Sequence, residues 1–193
     1  MKIVQIDYGA GNVKNIQFAF ERFGYSPVLT SDIDEIREAD KVIFPGVGEA
    51  SNAMDKLRRS GLHRIIPELS QPVLGICLGM QLLCELTEEN NTIGLGIFPL
   101  EVKRFSNVVK VPQIGWNNIY GLKSHLFDAI TENEYMYLVH SFYVPLCEET
   151  IAKCDYELPY SAAIRRNNFY GVQFHPEKSA AAGEQLLKNF LAL

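Results

Sequence analysis

Residues 74–81 read LGICLGMQ and place Cys77 where chemistry is possible. An apolar run ends at this cysteine, Gly75 and Gly79 flank it, and a helix-like segment follows. A sharp turn from strand to helix lifts one side chain clear of the sheet and aims the next backbone N–H groups at whatever that side chain attacks. The start of a helix also favours the thiolate, the nucleophilic form of cysteine. The pattern predicts a nucleophile, and a small apolar residue in a tight turn is the alternative.

A thiolate nucleophile needs a proton donor and acceptor beside it, commonly a histidine oriented by a third group. The sequence offers His63, His125, His140 and His175. His175 lies in FYGVQFHPEK, where a strand ends in His-Pro-Glu and the proline keeps the chain extended. Residues two apart in an extended chain point to the same side, so Glu177 can fix the imidazole tautomer and stabilise its cation. The alternative is a strand-end histidine with a solvated glutamate beside it.

Glycine-rich backbone near Cys77 can supply donors for the oxyanion that forms during acyl transfer. The loop PGVG at 45–48 follows a strand that we expect near the Cys77 strand, so the N–H groups of Val47 and Leu78 can converge on one oxygen. The glycines of this loop leave its backbone free to reorient, and an ordinary strand-to-helix turn is the alternative. Gln81 lies one helical turn beyond Cys77 on the same face, where its amide can meet a polar substrate.

Composition limits the classes of protein to which this chain can belong. Its 193 residues are 47% hydrophobic, which suits one globular domain over residues 1–193. The formal net charge is -5 and the basic residues are scattered, so we expect no nucleic-acid partner. No apolar stretch of the sequence reaches membrane-spanning length, and we expect no signal peptide from the single lysine and short apolar run of the N-terminal residues. We therefore expect a cytoplasmic protein without membrane contact.

The cysteines favour the same compartment. Four of them stand at positions 77, 84, 147 and 154, with no CxxC pair and no histidine pair at zinc-ligand spacing. Neither a disulfide scaffold nor a structural metal site is predicted, and the usage fits a reducing cytosol.

The elements that must position Cys77 alternate between strand and helix up to about residue 95. Short apolar runs predict strands at 2–7 and 71–77, and KVIFPGVG at 41–48 predicts a strand followed by the glycine loop. Helical spacing of apolar residues predicts helices at 15–24, 50–61 and 78–86. Such alternation favours a mostly parallel sheet with helices on both faces, and its third strand runs directly into the elbow at Cys77.

The second half of the chain has a different pattern. Beyond residue 95, β-branched and aromatic runs are separated by turn residues. Mixed or antiparallel strands are predicted in the segments EVKRF, VVKVPQIGWNNI, YMYLVHSFYV and TIAKCDY. The last segment, AAAGEQLLKNFLAL, predicts an apolar-faced helix that covers the sheet.

The motifs PGVG, GICLGMQLL and GVQFHPEKS together resemble the class I glutamine amidotransferases, which carry Cys, His and Glu in this chain order. The resemblance implies a flavodoxin-like α/β fold and a glutaminase that uses no metal or organic cofactor. It makes Cys77, His175 and Glu177 the catalytic triad and assigns oxyanion donation to Val47 and Leu78. Positions that match residues holding the substrate glutamine are Gly48, Gln81, Ser141 and Phe142.

Three further segments narrow the resemblance, and the similarity spans essentially the whole chain. DYGAGNVKN at 7–15, VPQIGWN at 111–117 and LVHSFYV at 138–144 are similar to the glutaminase subunits of imidazole glycerol phosphate synthases. Gln113 departs from the histidine that often precedes GWN in that group. The departure lies away from the residues of the predicted triad.

A partner protein follows from this resemblance. It implies a heterodimer with a (β/α)8-barrel cyclase subunit, which receives the ammonia. That subunit converts a phosphoribulosyl formimino carboxamide nucleotide to imidazole glycerol phosphate and an aminoimidazole carboxamide ribonucleotide. The resemblance also places Asn12, Trp116 and Lys178 near the partner surface.

Two other interpretations remain open at the level of sequence. A glutaminase of the same fold can supply ammonia to pyridoxal phosphate synthase or to a sugar-modifying enzyme, although GMQ after Cys77 and the GWN motif favour the histidine pathway over the vitamin pathway. A non-catalytic scaffold can also retain this fold. The intact Cys77, His175 and Glu177 argue against a scaffold.

Overall fold

A computed structural model describes residues 1–9 and 13–193. The helices within these residues are α1 (Val13–Glu21), α2 (Ile33–Arg37), α3 (Ala50–Arg59), α4 (Leu62–Ile65), α5 (Leu78–Leu83) and α6 (Ala180–Ala192). The strands of the first half are β1 (Ile3–Ile6), β2 (Val28–Thr30), β3 (Lys41–Gly46), β4 (Val73–Cys77), β5 (Cys84–Thr87) and β6 (Thr92–Ile93). Those of the second half are β7 (Phe98–Arg104), β8 (Gln113–Ile119), β9 (Glu134–His140), β10 (Phe142–Pro145), β11 (Thr150–Asp155), β12 (Pro159–Arg166) and β13 (Phe169–Val172).

The parallel part of the main sheet has the order β2, β1, β3, β4, β13. Numbering these five strands along the chain gives 2-1-3-4-5, the flavodoxin-like order. The predicted parallel sheet is thus present, and β13 is its last strand although it comes from the C-terminal half.

The antiparallel part of the sheet also agrees with the prediction. Beyond β13 the order continues through β12, β10 and β7, each antiparallel to the strand before it, and β11 pairs with β12. Strand β5 then pairs with β7 in parallel and carries β6 at the edge. Strands β8 and β9 form a separate antiparallel ribbon.

Apolar helix faces cover both sides of the sheet, as a parallel sheet requires. One core includes Ile16 and Phe20 of α1 and Leu187 and Phe190 of α6. The other core includes Ile36 of α2, Met54 and Leu57 of α3 and Leu62 of α4. None of the helices in the described residues is long and apolar enough to cross a membrane.

The predicted helix at 78–86 is wrong in its second half. Helix α5 ends at Leu83, and the next four residues form β5. The carbonyl oxygens of Leu82 and Leu83 accept hydrogen bonds from the N–H groups of Leu95 and Ile97, at 2.8 and 3.0 Å. The last carbonyl groups of the helix are therefore hydrogen-bonded to the loop that follows β6. The helix ends there, and the chain continues as a strand of the sheet. Strands β2, β6 and β12 and helices α2 and α4 are not predicted by the sequence pattern.

The fold brings three chain segments together at one edge of the sheet. Strand β4 lies between β3 and β13, with Gly46 opposite Cys77 and Val172 opposite Ile76. Ligands of open α/β sheets bind outside the carboxyl ends of the strands. Since His175 follows β13 by three residues, the cysteine, the glycine loop and the histidine share this edge.

The backbone of α5 approaches β3 so closely at Gly79 that no side chain fits there. A Cβ atom there would overlap the carbonyl oxygen of Phe44. We expect Gly79→Ala to lower the free energy of unfolding by about 3 kcal/mol, because a packed backbone cannot accommodate the methyl group. Gly24→Ala is the control, since Gly24 has a φ of 83° but no atom within 4 Å of the added carbon. It should cost about 1 kcal/mol through backbone strain alone. Equal losses in urea unfolding would contradict this role of Gly79.

Candidate active site

Cys77 occupies a strained elbow between β4 and α5. Its backbone has a φ of 54° and a ψ of -112°, a conformation that non-glycine residues rarely adopt. A Cβ atom on Gly46 would overlap the N atom of Gly79, and one on Gly75 would lie 2.9 Å from the N atom of Met80. The flanking glycines therefore let α5 start directly against β3 and β4. Gly46 serves this close packing, which differs from the flexibility that the sequence suggested for the loop.

His175 and Glu177 form a buried pair. The Nδ1 atom of His175 lies 2.8 Å from Oε1 of Glu177. The chain does not stay extended after the histidine, as the sequence analysis assumed, because Pro176–Lys178 forms a 3-10 turn. This turn still returns the carboxylate to the imidazole ring. With Nδ1–H donated to Glu177, Nε2 is the atom available for proton transfer.

Neighbouring elements fix the backbone of His175. Its N–H donates to the carbonyl oxygen of Tyr137 in β9 at 2.9 Å. The hydroxyl of Ser179 donates to the carbonyl oxygen of His175 at 2.6 Å and accepts from the N–H of Tyr137 at 2.9 Å. Gly183 permits this arrangement, because a side chain there would overlap the carbonyl oxygen of Pro176. The imidazole is thus anchored to both β9 and the start of α6.

The charge state of His175 depends on its neighbours. Burial disfavours the imidazolium, but interactions with the Cys77 sulfur and with the Glu177 carboxylate outweigh it and raise the pKa of His175 to about 10. The Nε2 atom has no hydrogen-bond partner of normal geometry among the described residues. A charged imidazole with a free N–H group beside the sulfur can donate a proton to a leaving group.

A cavity of ≈ 340 Å³ opens at this edge of the sheet. Its walls hold nine of the predicted site residues: Val47, Gly48, Cys77, Leu78, Gln81, Ser141, Phe142, His175 and Lys178. Glu177 lies behind His175, to which it is hydrogen-bonded. The cavity wall also contains Glu89, Pro112 and Val139, to which the sequence assigns no role, and His140, one of the four candidate histidines. A larger depression of ≈ 690 Å³ near Pro72 contains no cysteine and none of these residues.

The two predicted oxyanion donors flank the nucleophile. Val47 follows Gly46, which pairs with Cys77, and Leu78 is the first residue of α5. Backbone N–H groups at the start of a helix have no partner within the helix. Gly48 has a φ of 93°, so the loop needs glycine at this position.

Gln81 lies on the cavity wall, but hydrogen bonds within the protein already occupy the NH₂ group of its side chain. Its Nε2 atom donates to the carbonyl oxygen of Phe142 at 3.0 Å and to Oε1 of Gln173 at 2.9 Å. Both amide hydrogens are therefore engaged within the protein. Gln81 can offer a bound molecule only its side-chain oxygen, an acceptor.

Glu89 is the only acidic side chain on the cavity wall within the described residues. Its Oε2 atom accepts a hydrogen bond of 2.8 Å from the N–H of Ala50, the first residue of α3. Burial raises the pKa of Glu89, and the bond from Ala50 opposes this shift. A carboxylate at this place can bind an ammonium group. No local sequence signal identifies it, because it lies in the turn after β5 among other acidic residues.

His140 also borders the cavity, but both of its ring nitrogens already have hydrogen-bond partners within the protein. Burial lowers the pKa of His140 to about 4, so the ring is neutral at pH 7. Its Nδ1–H donates to the carbonyl oxygen of Phe142 at 2.6 Å, and its Nε2 atom lies 3.2 Å from the hydroxyl of Tyr160. The hydroxyl of Tyr160 donates to Oε1 of Gln113 at 3.0 Å. Gln113, which stands where the sequence resemblance leads us to expect a histidine, therefore belongs to this buried network.

The surface beside the cavity carries Trp116 and Lys178. The indole of Trp116 is 52% exposed and packs edge-on against the ring of Tyr137, with centroids 6.0 Å apart. The Nζ atom of Lys178 lies 5.7 Å from the centroid of the same ring. The two predicted interface residues therefore flank one tyrosine. The third, Asn12, lies outside the described residues.

Residues 1–9 and 13–193 contain no group of three or more His, Cys, Asp or Glu side chains placed to hold a metal ion. All four cysteines are free.

Comparison with known proteins places these features in a family. The family model for glutamine amidotransferase class-I matches residues 4–193. Imidazole glycerol phosphate synthase subunit HisH of Bacteroides fragilis (strain YCH46) is 54% identical over 196 residues, with full coverage of both chains. The subunit of the same name from Escherichia coli (strain K12) is 45% identical, again with full coverage of both chains.

A crystal structure of a glutamine amidotransferase superimposes with a TM-score of 0.78 and covers 100% of this chain and 98% of that chain. At 18% identity this likeness confirms the predicted fold class, and the fold alone. The predicted resemblance is confirmed by the family model and by the full-length relatives. The chain belongs to the class I glutamine amidotransferases and, within them, to the family of imidazole glycerol phosphate synthase HisH subunits.

Proposed function

We propose that this chain is the glutaminase subunit of an imidazole glycerol phosphate synthase and that Cys77, His175 and Glu177 are its catalytic triad. The observation that carries the proposal is the placement of a strained cysteine and a buried His–Glu pair at adjoining strand ends around one cavity. The full-length identity to HisH subunits supports the assignment to this synthase.

Glutamine fits the polarity of the cavity. Its ammonium group is assigned to the carboxylate of Glu89 and the side-chain oxygen of Gln81, the acceptors described above. The segment of Ser141 and Phe142 lies on the same wall and is assigned to the rest of the amino-acid end. The side-chain amide then extends toward Cys77.

The first half-reaction forms a thioester. The thiolate of Cys77 attacks the side-chain amide carbon, and the oxyanion that develops is stabilised by the N–H groups of Val47 and Leu78. When the tetrahedral intermediate collapses, the C–N bond breaks and the nitrogen leaves as ammonia with the Nε2 proton of His175. Glu177 holds the imidazole in the tautomer that this transfer requires.

The second half-reaction needs His175 as a base. Acylation removes the negative charge of the sulfur, one of the two interactions that hold the pKa of His175 high. Burial, which disfavours the imidazolium, is then opposed by fewer interactions, and the pKa of His175 falls. A neutral imidazole can take a proton from water. Water attacks the thioester, the C–S bond breaks, and glutamate leaves with the thiolate and imidazolium restored.

The ammonia is passed to a partner subunit in this proposal. We assign that role to a (β/α)8-barrel cyclase in a heterodimer, docked on the surface of Trp116 and Lys178 beside the cavity. The proposal treats residues 1–193 as one domain, supported by a family match over residues 4–193. The four free cysteines support a reducing cytoplasm as its location.

Replacing the nucleophile separates the two activities of the complex. We expect Cys77→Ala to abolish glutamine-dependent synthesis while leaving ammonia-dependent synthesis intact, because only the source of ammonia is removed. Both rates are measured on the complex with the cyclase subunit. Cys147→Ser is the matched control and should retain glutaminase activity, since Cys147 contacts Thr150 and Ser161, away from the cavity. Glutamine turnover by Cys77→Ala near the parent rate would refute the triad.

The two other triad positions should differ in severity. His175→Ala is expected to lower kcat for glutamine by about 10²- to 10⁴-fold, because proton transfer to the leaving group is lost. Glu177→Gln should cost less, since an amide oxygen still accepts from Nδ1–H but no longer stabilises the imidazolium. Steady-state glutamate production measures both. A larger loss in Glu177→Gln than in His175→Ala would reverse the assigned roles.

The docking surface can be tested apart from the chemistry. We expect Trp116→Ala to weaken binding of the cyclase subunit by at least about tenfold, the range of an exposed aromatic anchor in an interface. Ile93→Ala is the control, because Ile93 is 64% exposed and lies on strand β6 at the sheet edge. Isothermal titration gives both affinities. Equal affinities for the two variants would remove Trp116 from the interface.

A further inference from the structure

Gln173 is a fully buried amide that the triad does not include. It lies just after β13 and has no exposed surface. Its Nε2 atom is 3.8 Å from the sulfur of Cys77, and its Oε1 atom accepts from Nε2 of Gln81 at 2.9 Å. Gln173 and His175 are two residues apart and both reach Cys77 from the same segment.

The orientation of the Gln173 amide follows from its neighbours. The carbonyl oxygen of Phe142 can only accept hydrogen bonds, so Gln81 must present its NH₂ group to it. His140 donates to the same oxygen and holds it in place. The second hydrogen of the Gln81 amide then requires an acceptor, which is Oε1 of Gln173. The NH₂ group of Gln173 is therefore turned toward the sulfur.

The sulfur is the single hydrogen-bond partner of this NH₂ group among the described residues. A neutral thiol is a weak acceptor, whereas a thiolate is a strong one. The contact therefore strengthens when Cys77 ionises and weakens when the sulfur is acylated. Other titratable groups close to the sulfur are His175 with Glu177, and Tyr8, whose hydroxyl donates to the carbonyl oxygen of Pro45. The same cavity wall also carries Glu89, His140 and Lys178.

We propose that Gln173 is a positioning residue for the nucleophile, which holds the Cys77 sulfur in place and stabilises its thiolate through an amide N–H whose direction Gln81 and Phe142 dictate. The role deepens the proposed glutaminase function and rests on it. One consequence is that substrate contact at Gln81 and reactivity at Cys77 are linked by a single amide.

Alkylation of Cys77 by iodoacetamide tests the proposal without relying on glutamine turnover. The rate is measured across pH on the full chain, and the modified peptide is identified by mass spectrometry so that the other cysteines do not contribute. Gln173→Met and Gln173→Leu both remove the donor but differ in shape. We expect each to react about tenfold more slowly at pH 7, the loss of one hydrogen bond to a charged group. The pH midpoint of alkylation should move upward in both.

The control is Gln5→Met, which removes another fully buried amide. Gln5 lies in β1 and bonds the carbonyl oxygen of Val13 at 3.4 Å. This variant should alkylate like the parent, and thermal unfolding verifies that all variants are folded. In the complex with the cyclase subunit, the Gln173 variants should lose more in kcat than in KM.

The outcomes separate the two proposals. Parent-like alkylation rates and midpoints in either folded Gln173 variant would overturn the role of Gln173, even if their turnover fell. An unchanged parent protein that alkylates Cys77 rapidly but never hydrolyses glutamine with the cyclase subunit would overturn the proposed function. The alkylation shift in the Gln173 variants would still stand in that case.

Discussion

The approach of α5 to the ends of β3 and β4 is the constraint on which the rest of the site depends. Three glycines, Gly46, Gly75 and Gly79, let backbone meet backbone where any side chain would overlap it. At this contact Cys77 has a φ of 54°, a value that is rare for a residue other than glycine, and it borders the cavity. Val47 and Leu78 line the same cavity as Cys77. A site of this precision is therefore set by packing rather than by a flexible loop.

Electrostatic interactions among Cys77, His175 and Glu177 determine the protonation states at the site. The sulfur, the imidazole and the Glu177 carboxylate lie in a buried environment, where their interactions are stronger than in water. Interaction with Cys77 is one cause of the high pKa of His175. In the proposed mechanism, each covalent step therefore changes the proton affinity of the imidazole in the direction that the next step needs. Gln173 adds a neutral donor to the sulfur that does not change its own charge during the cycle.

The sequence was sufficient for the parts of the site that a local motif encodes. Gly75 and Gly79 around Cys77, and the His-Pro-Glu segment, predicted the residues that meet at the cavity, and the alternation of strands and helices predicted the parallel sheet. The geometry of His175 and Glu177 was predicted for the wrong reason, because a 3-10 turn joins them in place of an extended chain.

Other features depend on contacts between distant segments, which no local pattern records. Glu89 reaches the cavity because its carboxylate meets the start of α3, and His140 is held neutral by burial beside Tyr160. The end of α5 was misplaced because its last carbonyls bond to a loop beyond β6. Gln173 stands in the GVQFHPEKS motif, but the motif does not indicate its role, because the direction of its amide is set by Gln81 and Phe142.

In the proposed mechanism, Cys77 carries the glutamyl group during turnover. Acid quenching of the cyclase complex during steady-state glutamine hydrolysis, followed by peptide mass spectrometry, tests it directly. We expect a glutamyl thioester on the peptide that contains Cys77, and it should disappear when glutamine is exhausted. Steady turnover with the adduct on a different cysteine would contradict it.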